Sequence, residues 1–257
     1  MTTTFAPSAL ALSASMAVAA GLLGCFALMR RMSLAGDALS HVALPGIGLA
    51  LLLGAPPLAG AVVALGAGAI LIWVLERRTR VGVDAIVGVV FSGALAVGAL
   101  LTTGEQLMDA LFGAPGTLAG WEVGAGLLGA AAVVAFIIFA RDRLVLMLIS
   151  PDIALTAGID VPRLDLMYLL AFALTVALGL RYLGALLMGS LVIIPAATAR
   201  RVARDLTTML TTSVAVSLVA TLLGTWLAER LHRESGPLII SIAVACFLAT
   251  TITPRRR

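Results

Sequence analysis

An all-α, polytopic membrane bundle of about nine transmembrane helices is the fold this sequence predicts, and three observations predict it. Apolar residues make up 61% of the 257-residue chain and charged ones 12%, with a mean hydropathy of +1.12, which leaves too little polar surface to cover a soluble globule of this size. Charge-free runs cover residues 8 to 29, 38 to 75, 85 to 104, 123 to 140, 166 to 180, 182 to 199, 206 to 228 and 235 to 254. The arginines between those runs alternate in density, as the positive-inside rule requires of a chain that crosses repeatedly.

The first run has no basic residue before it and Arg30 and Arg31 directly after it, the reverse of a secretory signal, so it reads as a retained span with the N-terminus outside. The second run is too long for one span of about 20 residues, and "GAPP" at 54 to 57 divides it in two. Residues 85 to 104 and 123 to 140 supply the fourth and fifth spans. The 166 to 180 run has 15 residues, about 22 Å as helix against a hydrocarbon core of about 30 Å, so it borrows flanking residues or does not cross fully. It turns at Arg181 into the 182 to 199 run, and the last two runs complete the count with the C-terminus cytoplasmic. In this topology 14 of the 17 arginines lie inside, and only Arg181, Arg230 and Arg233 lie outside. An eight-span count stays open. No polar segment is long enough to be a second domain, so residues 1–257 form a single transmembrane domain.

Several function classes are excluded. All 17 basic residues are arginine, so a P-loop ending in Gly-Lys-Ser/Thr is absent and nucleotide hydrolysis needs another chain. The arginines carry no interleaved aromatics for base stacking, so the pI near 10 reports topology and not a nucleic-acid partner. Cys25 and Cys246 lie inside apolar runs as small buried hydrophobes. No hydrolytic or redox constellation is present and the two histidines build no tight, closed metal site, so the chain is read as no enzyme and as binding no cofactor of its own. Membrane lipid is its medium, and its function is a pathway.

Asp37 and His41 stand one helical turn apart, about 6 Å of rise, on one face at the start of the second helix. Ionisable residues at such depth usually face a cavity or a partner, and carboxylate with imidazole suits a first-row divalent metal in transit. A plainer reading has Asp37 stabilising the helix end and His41 hydrogen-bonded to it. Pro45 and Gly46 predict a kink or broken turn beside them, and Pro195 predicts another in the later hairpin; interrupted helices are tolerated where freed backbone groups face protein or water. Outside, Glu105, Asp109 and Glu122 make the segment 105 to 122 locally negative, either to concentrate cations or because arginine is excluded there. Inside, the segment 141 to 165 contains a short helix with Ser150 as N-cap, Pro151 at its first position, Asp152 at its positive end and Gly158 as its stop. It either rests on lipid or docks a partner.

Five stretches in order, "RRMSLAGDALSHVALPGIGLA" (30 to 50), "VGVVFSGALAVGALL" (87 to 101), "DALFG" (109 to 113), "LGALLMGSLVIIPAATAR" (183 to 200) and "SGPLII" (235 to 240), resemble the permease subunits of bacterial ATP-binding-cassette importers for zinc, manganese and iron. The resemblance implies a vitamin-B12-importer-like helical fold in the inner membrane and a homodimer. It also implies two copies of a cytoplasmic ATPase and an extracytoplasmic metal-binding protein. It makes 151 to 163, Ala154 included, the ATPase coupling element and places Asp37 and His41 along the metal's path. The outer loop keeps only part of the family pattern, which weakens an entrance role for Asp109 and more so for Glu105. The cargo would be zinc ahead of manganese or iron. Two rival functions remain at this point: an ATP-independent cation carrier or channel, and a siderophore or cobalamin permease of the same architecture.

Overall fold

The computed structural model describes residues 7–32, 35–101, 120–183 and 185–252. These residues form ten α-helices and no strand: α1 Pro7–Met29, α2 Ala35–Leu52, α3 Pro57–Arg78, α4 Val83–Leu101, α5 Gly120–Ile149, α6 Pro151–Thr156, α7 Val161–Leu183, α8 Ala185–Val202, α9 Leu206–Leu231 and α10 Ser235–Ile252. Eight described helices are long and apolar enough to cross a membrane. The ninth long helix is α8, whose last turn carries Arg200 and Arg201. The nine long helices fall on the nine predicted runs.

The helix ends show why the runs divide as they do. After α2, the N–H of Ala55 donates to the Ala50 carbonyl at 2.8 Å and that of Gly54 to Leu51 at 3.2 Å, with Gly54 left-handed at φ 68°, and Pro57 opens α3. This is a Schellman turn, and glycine adopts its left-handed residue without a Cβ clash. The same turn closes α1, where Met32 donates to Ala27 at 2.9 Å and Arg31 to Leu28 at 3.3 Å, but Arg31 occupies the left-handed position at φ 60°. At α9 the Asp205 carboxylate accepts the Thr208 N–H at 2.7 Å as N-cap, and His232 closes the helix at φ 50°. That hydrogen bond holds the Asp205 carboxyl below its usual range.

Two segments are more helical than the apolar runs indicate. The run at 166 to 180 becomes the 23-residue α7, about 34 Å long, by including Arg163 and Asp165 before it and reaching Leu183 after it. Asp165 is tolerated there because Arg30 pairs with it. Arg181, where a hairpin turn is predicted, lies within α7, which runs to Leu183; α8 begins at Ala185, and residue 184 lies outside the described residues. Likewise α5 continues past Arg141, Asp142 and Arg143 to Ile149, so the expected non-membrane segment 141 to 165 is mostly helix. Nothing in "RDRLVLMLI" breaks a helix, and the stop comes where Pro151 holds Ser150 extended at φ −156°, ψ 111°.

Packing puts α1 at the centre, against α5, α7, α8 and α9. Leu12, Ala17, Ala20, Leu22 and Cys25 are all buried and lie round its circumference, as an interior helix requires. α2 is enclosed by α3, α4 and α8. The outward faces carry Val89, Leu100, Leu128, Phe139 and Leu248, exposed apolar side chains suited to lipid.

Candidate functional site

α2 begins on the arginine-rich side of the bundle, with Asp37 in its first turn and His41 one turn further on. Asp37 is exposed on the protomer and His41 half-buried. Neither bonds to the other among the described residues; the Asp37 carbonyl instead accepts the Ser40 hydroxyl at 2.6 Å. The plain capping arrangement, with imidazole bonded to carboxylate, is thus not what the structure contains. The His41 ring meets Phe91 of α4 edge-on, centroids 5.4 Å apart at 62°, and its Nδ1 is shielded from solvent without a hydrogen-bond partner among the described residues.

Proline chemistry reaches the same histidine through the backbone. Pro45 has no N–H, so the His41 carbonyl lacks its usual donor four residues on, and Pro195 does the same to Leu191. Neither proline ends its helix: α2 and α8 both run through them as single helices, so a broken turn occurs at neither. Neighbouring helices tolerate such positions in membranes. Here Pro45 packs on α4, where a Cβ on Gly98 would approach the Pro45 Cδ to 3.3 Å.

Close glycine crossings fix the position of this helix. A Cβ on Gly189 of α8 would stand 2.5 Å from the Asp37 backbone nitrogen and 2.7 Å from its Cα; one on Gly46 would strike the backbone of Gly60 in α3, and the reverse. A Cβ on Gly68 would meet Val42 at 2.6 Å. α2 is therefore gripped by α8 at Asp37, by α3 at Gly46 and by α4 at Pro45. Sequence reasoning named Gly46 but missed Gly189, Gly60, Gly68, Gly98 and Phe91. The available signal was the density of small residues in "GAVVALGAGA" and "LLMGS", which marks close helix approach in membranes.

The short cytoplasmic helix forms as its sequence predicts. The Ser150 side chain accepts the Ile153 N–H at 3.3 Å, Pro151 and Asp152 occupy the first turn, and Gly158 turns left-handed at φ 78° one residue past the Ala157 cap. Ala154 is fully buried against the bundle, while Ile153 and Leu155 are more than half exposed. Glu122 stands in the first turn of α5. Glu105 and Asp109 lie outside the described residues. Among the described residues no group of three His, Cys, Asp or Glu is placed to hold a metal ion.

Residues 2–253 match the model of the ABC 3 transport family. The chain is 34% identical over 193 residues to the high-affinity zinc uptake system membrane protein ZnuB of Haemophilus influenzae, covering 73% of this chain and 74% of that one. It is 29% identical to the manganese transport system membrane protein MntC of Halalkalibacterium halodurans over 92% of this chain and 83% of that one. It is 31% identical to the chelated iron transport system membrane protein YfeD of Yersinia pestis over 91% and 80%. Among solved structures it is similar to PsaBC from Streptococcus pneumoniae in complex with Fab, with TM-score 0.82 and 27% identity over 96% of this chain and 91% of that one. An inward-facing metal-chelate type ABC transporter, 18% identical with TM-score 0.73 over 95% of this chain and 87% of that one, shares the fold.

Proposed function

Because this chain belongs to the ABC 3 transport family, and is thereby the non-enzymatic inner-membrane permease subunit of a zinc, manganese or iron importer, we propose that its cargo passes along the Asp37 and His41 face of α2. The supporting observation is the pair itself: an exposed carboxylate and a half-buried imidazole one turn apart, with no hydrogen bond between them. Zinc ranks first among the cargoes, ahead of manganese and iron, since imidazole suits it and the zinc-system relative is 34% identical.

The chemistry is that of a weak, exchangeable site. Carboxylate oxygen and imidazole nitrogen replace part of the ion's water shell. A tight ligating histidine donates its second ring nitrogen to a carboxylate or carbonyl that orients it. The His41 Nδ1 has no such partner among the described residues, so this imidazole can release what it takes up. A second copy of the chain supplies a second pair, two copies of a cytoplasmic ATPase dock at Ser150 to Gly158, and an extracytoplasmic binding protein delivers the ion. Glu105 and Asp109 stand as entrance residues in this scheme, with Asp109 the stronger of the two, and Pro45, Gly46 and Pro195 line the path.

Reconstitution with the ATPase and binding protein tests the scheme through ATP-dependent uptake of zinc, manganese and ferrous iron side by side. Zinc uptake that requires ATP and falls in Asp37→Ala and His41→Ala is the expected result. Unchanged uptake in both variants overturns the assigned path, and uptake of manganese or iron without zinc overturns the ranking.

A further inference from the structure

A largely buried ionic knot ties the start of α7, which follows α6 in the chain, to the end of α3 and to the residue after α1, which precedes α2. Arg30, the residue after α1, has a side chain 9% exposed; its Nη2 pairs with Asp165 of α7 and lies 3.9 Å from Oε1 of Glu76 near the end of α3. Its guanidinium carbon sits 4.9 Å from the centroid of the Tyr168 ring. Tyr168 is fully buried and donates its hydroxyl hydrogen to the Leu23 carbonyl of α1 at 3.3 Å. Alongside, the Trp73 indole of α3 donates to the Pro162 carbonyl of α7 at 3.0 Å. Three helix ends thus meet on one guanidinium.

Chain connectivity gives the knot a direction. Asp165 follows the last residue of α6 by nine positions, and Arg30 precedes Asp37 by seven. On the second side Arg31 is left-handed in the Schellman turn, Met32 is 1% exposed, and the Ala35 N–H bonds back to the Met32 carbonyl at 3.1 Å, with residues 33 and 34 between them outside the described residues. The knot also holds two carboxylates for one guanidinium, on different helices and at unequal range. Removing one partner leaves a buried charge uncompensated, which low-dielectric surroundings penalise heavily. If α7 shifts away, Glu76 is the carboxylate left to take up Arg30. Two acceptors within reach of one guanidinium are what a two-position element needs in order to carry conformational coupling.

We infer that Arg30, Asp165 and Glu76 are positioning residues that transmit displacement of α6 to the start of α2, exchanging Arg30 between the two carboxylates as access to the Asp37 and His41 face changes. The inference rests on α6 being the ATPase dock, so the test separates the two. In the reconstituted transporter, Asp165→Asn and Glu76→Gln are expected to keep the ATPase subunit bound and hydrolysing ATP. Metal taken up per ATP hydrolysed should fall about two- to thirtyfold, and Asp165→Glu should recover most of it. A ratio unchanged in both variants, with or without a lowered melting temperature, reduces the knot to a structural tie and overturns the inference. If Asp165→Asn does not reach the membrane, Glu76→Gln, whose side chain is 27% exposed, decides alone by the same ratio. Normal ATPase co-purification with Ala154→Pro would instead sink the docking role of α6, whatever the knot variants do.

Discussion

Gly189→Ala is the sharpest perturbation of the site, because it presses on the helix that carries both proposed ligands through the Asp37 backbone while leaving both ligand side chains unchanged. The new Cβ would stand 2.5 Å from the Asp37 nitrogen and 2.7 Å from its Cα, whereas ordinary contact begins at 3.4 Å, so the start of α2 must move by about 0.9 Å. The obstacle is backbone, which cannot swing aside as a side-chain tip does. Overpacking of this kind costs about 1–3 kcal/mol, and replacing a helical glycine returns about 0.5–1, leaving a net destabilisation of at most about 2.5 kcal/mol. Transport should suffer more, since a misplacement near 1 Å is enough to cost about ten- to a hundredfold where geometry governs a ligand. The assay is ATP-dependent zinc uptake normalised to folded transporter, with Gly66→Ala as control because a Cβ there meets nothing within 4 Å. Wild-type uptake with a lowered melting temperature would refute the link between this crossing and the site. Wild-type behaviour in both measurements would refute the crossing itself.

Other expected outcomes follow the same geometry. Asp37→Ala and His41→Ala should each lower uptake about tenfold or more while the protein still inserts and assembles with its ATPase, read by uptake and co-purification. Ala154→Pro removes the 3.0 Å bond from the Ala154 N–H to the Ser150 carbonyl at a fully buried position and should abolish ATPase co-purification; Ser150→Ala, which loses only the cap, should weaken α6 by about 1 kcal/mol and association mildly. Asp205 has its folded-state pKa depressed by the Thr208 N–H, so its contribution to the α9 N-terminus is complete above the usual carboxylate value of about 3.9. That contribution is lost as pH falls through the lower folded-state value. Hydrogen exchange at Thr208 should accordingly accelerate at acid pH beyond its intrinsic trend, and Asp205→Asn, which also caps, should remove that excess.

What sequence made legible was set by the range of the interactions involved. Arginine density, the glycine and prolines of "GAPP" and the Ser150-Pro151 start act within a turn or two, and the helices they delimit are present. Asp37 and His41 share a face by periodicity alone, which the structure retains. That α7 borrows flanking residues was one of two readings its short run left open, and what no local pattern reveals is Arg30, the partner 135 positions earlier that neutralises Asp165 at its start. The broken turns expected at Pro45 and Pro195 are absent for a related reason: α2 and α8 continue through their prolines among packed neighbouring helices. Phe91 was unreadable because its meaning lies in which ring it meets.

The exposure of Asp37 carries the argument past the single protomer. A charged side chain facing hydrocarbon at a helix centre costs about 2.5–3.5 kcal/mol on insertion scales, and less near the interface where a long side chain reaches water. Aspartate is too short to snorkel far, and it sits on a face that α8 crosses at Gly189 but does not cover. That face is therefore suited to water or to a second copy and not to acyl chains. A pathway shared between two copies, as proposed, would meet both conditions, because each copy would bring one carboxylate and one imidazole to it. It also sets the strength of binding: ligands from two separable halves can be drawn apart when the halves move, as an importer needs in order to release its ion inside.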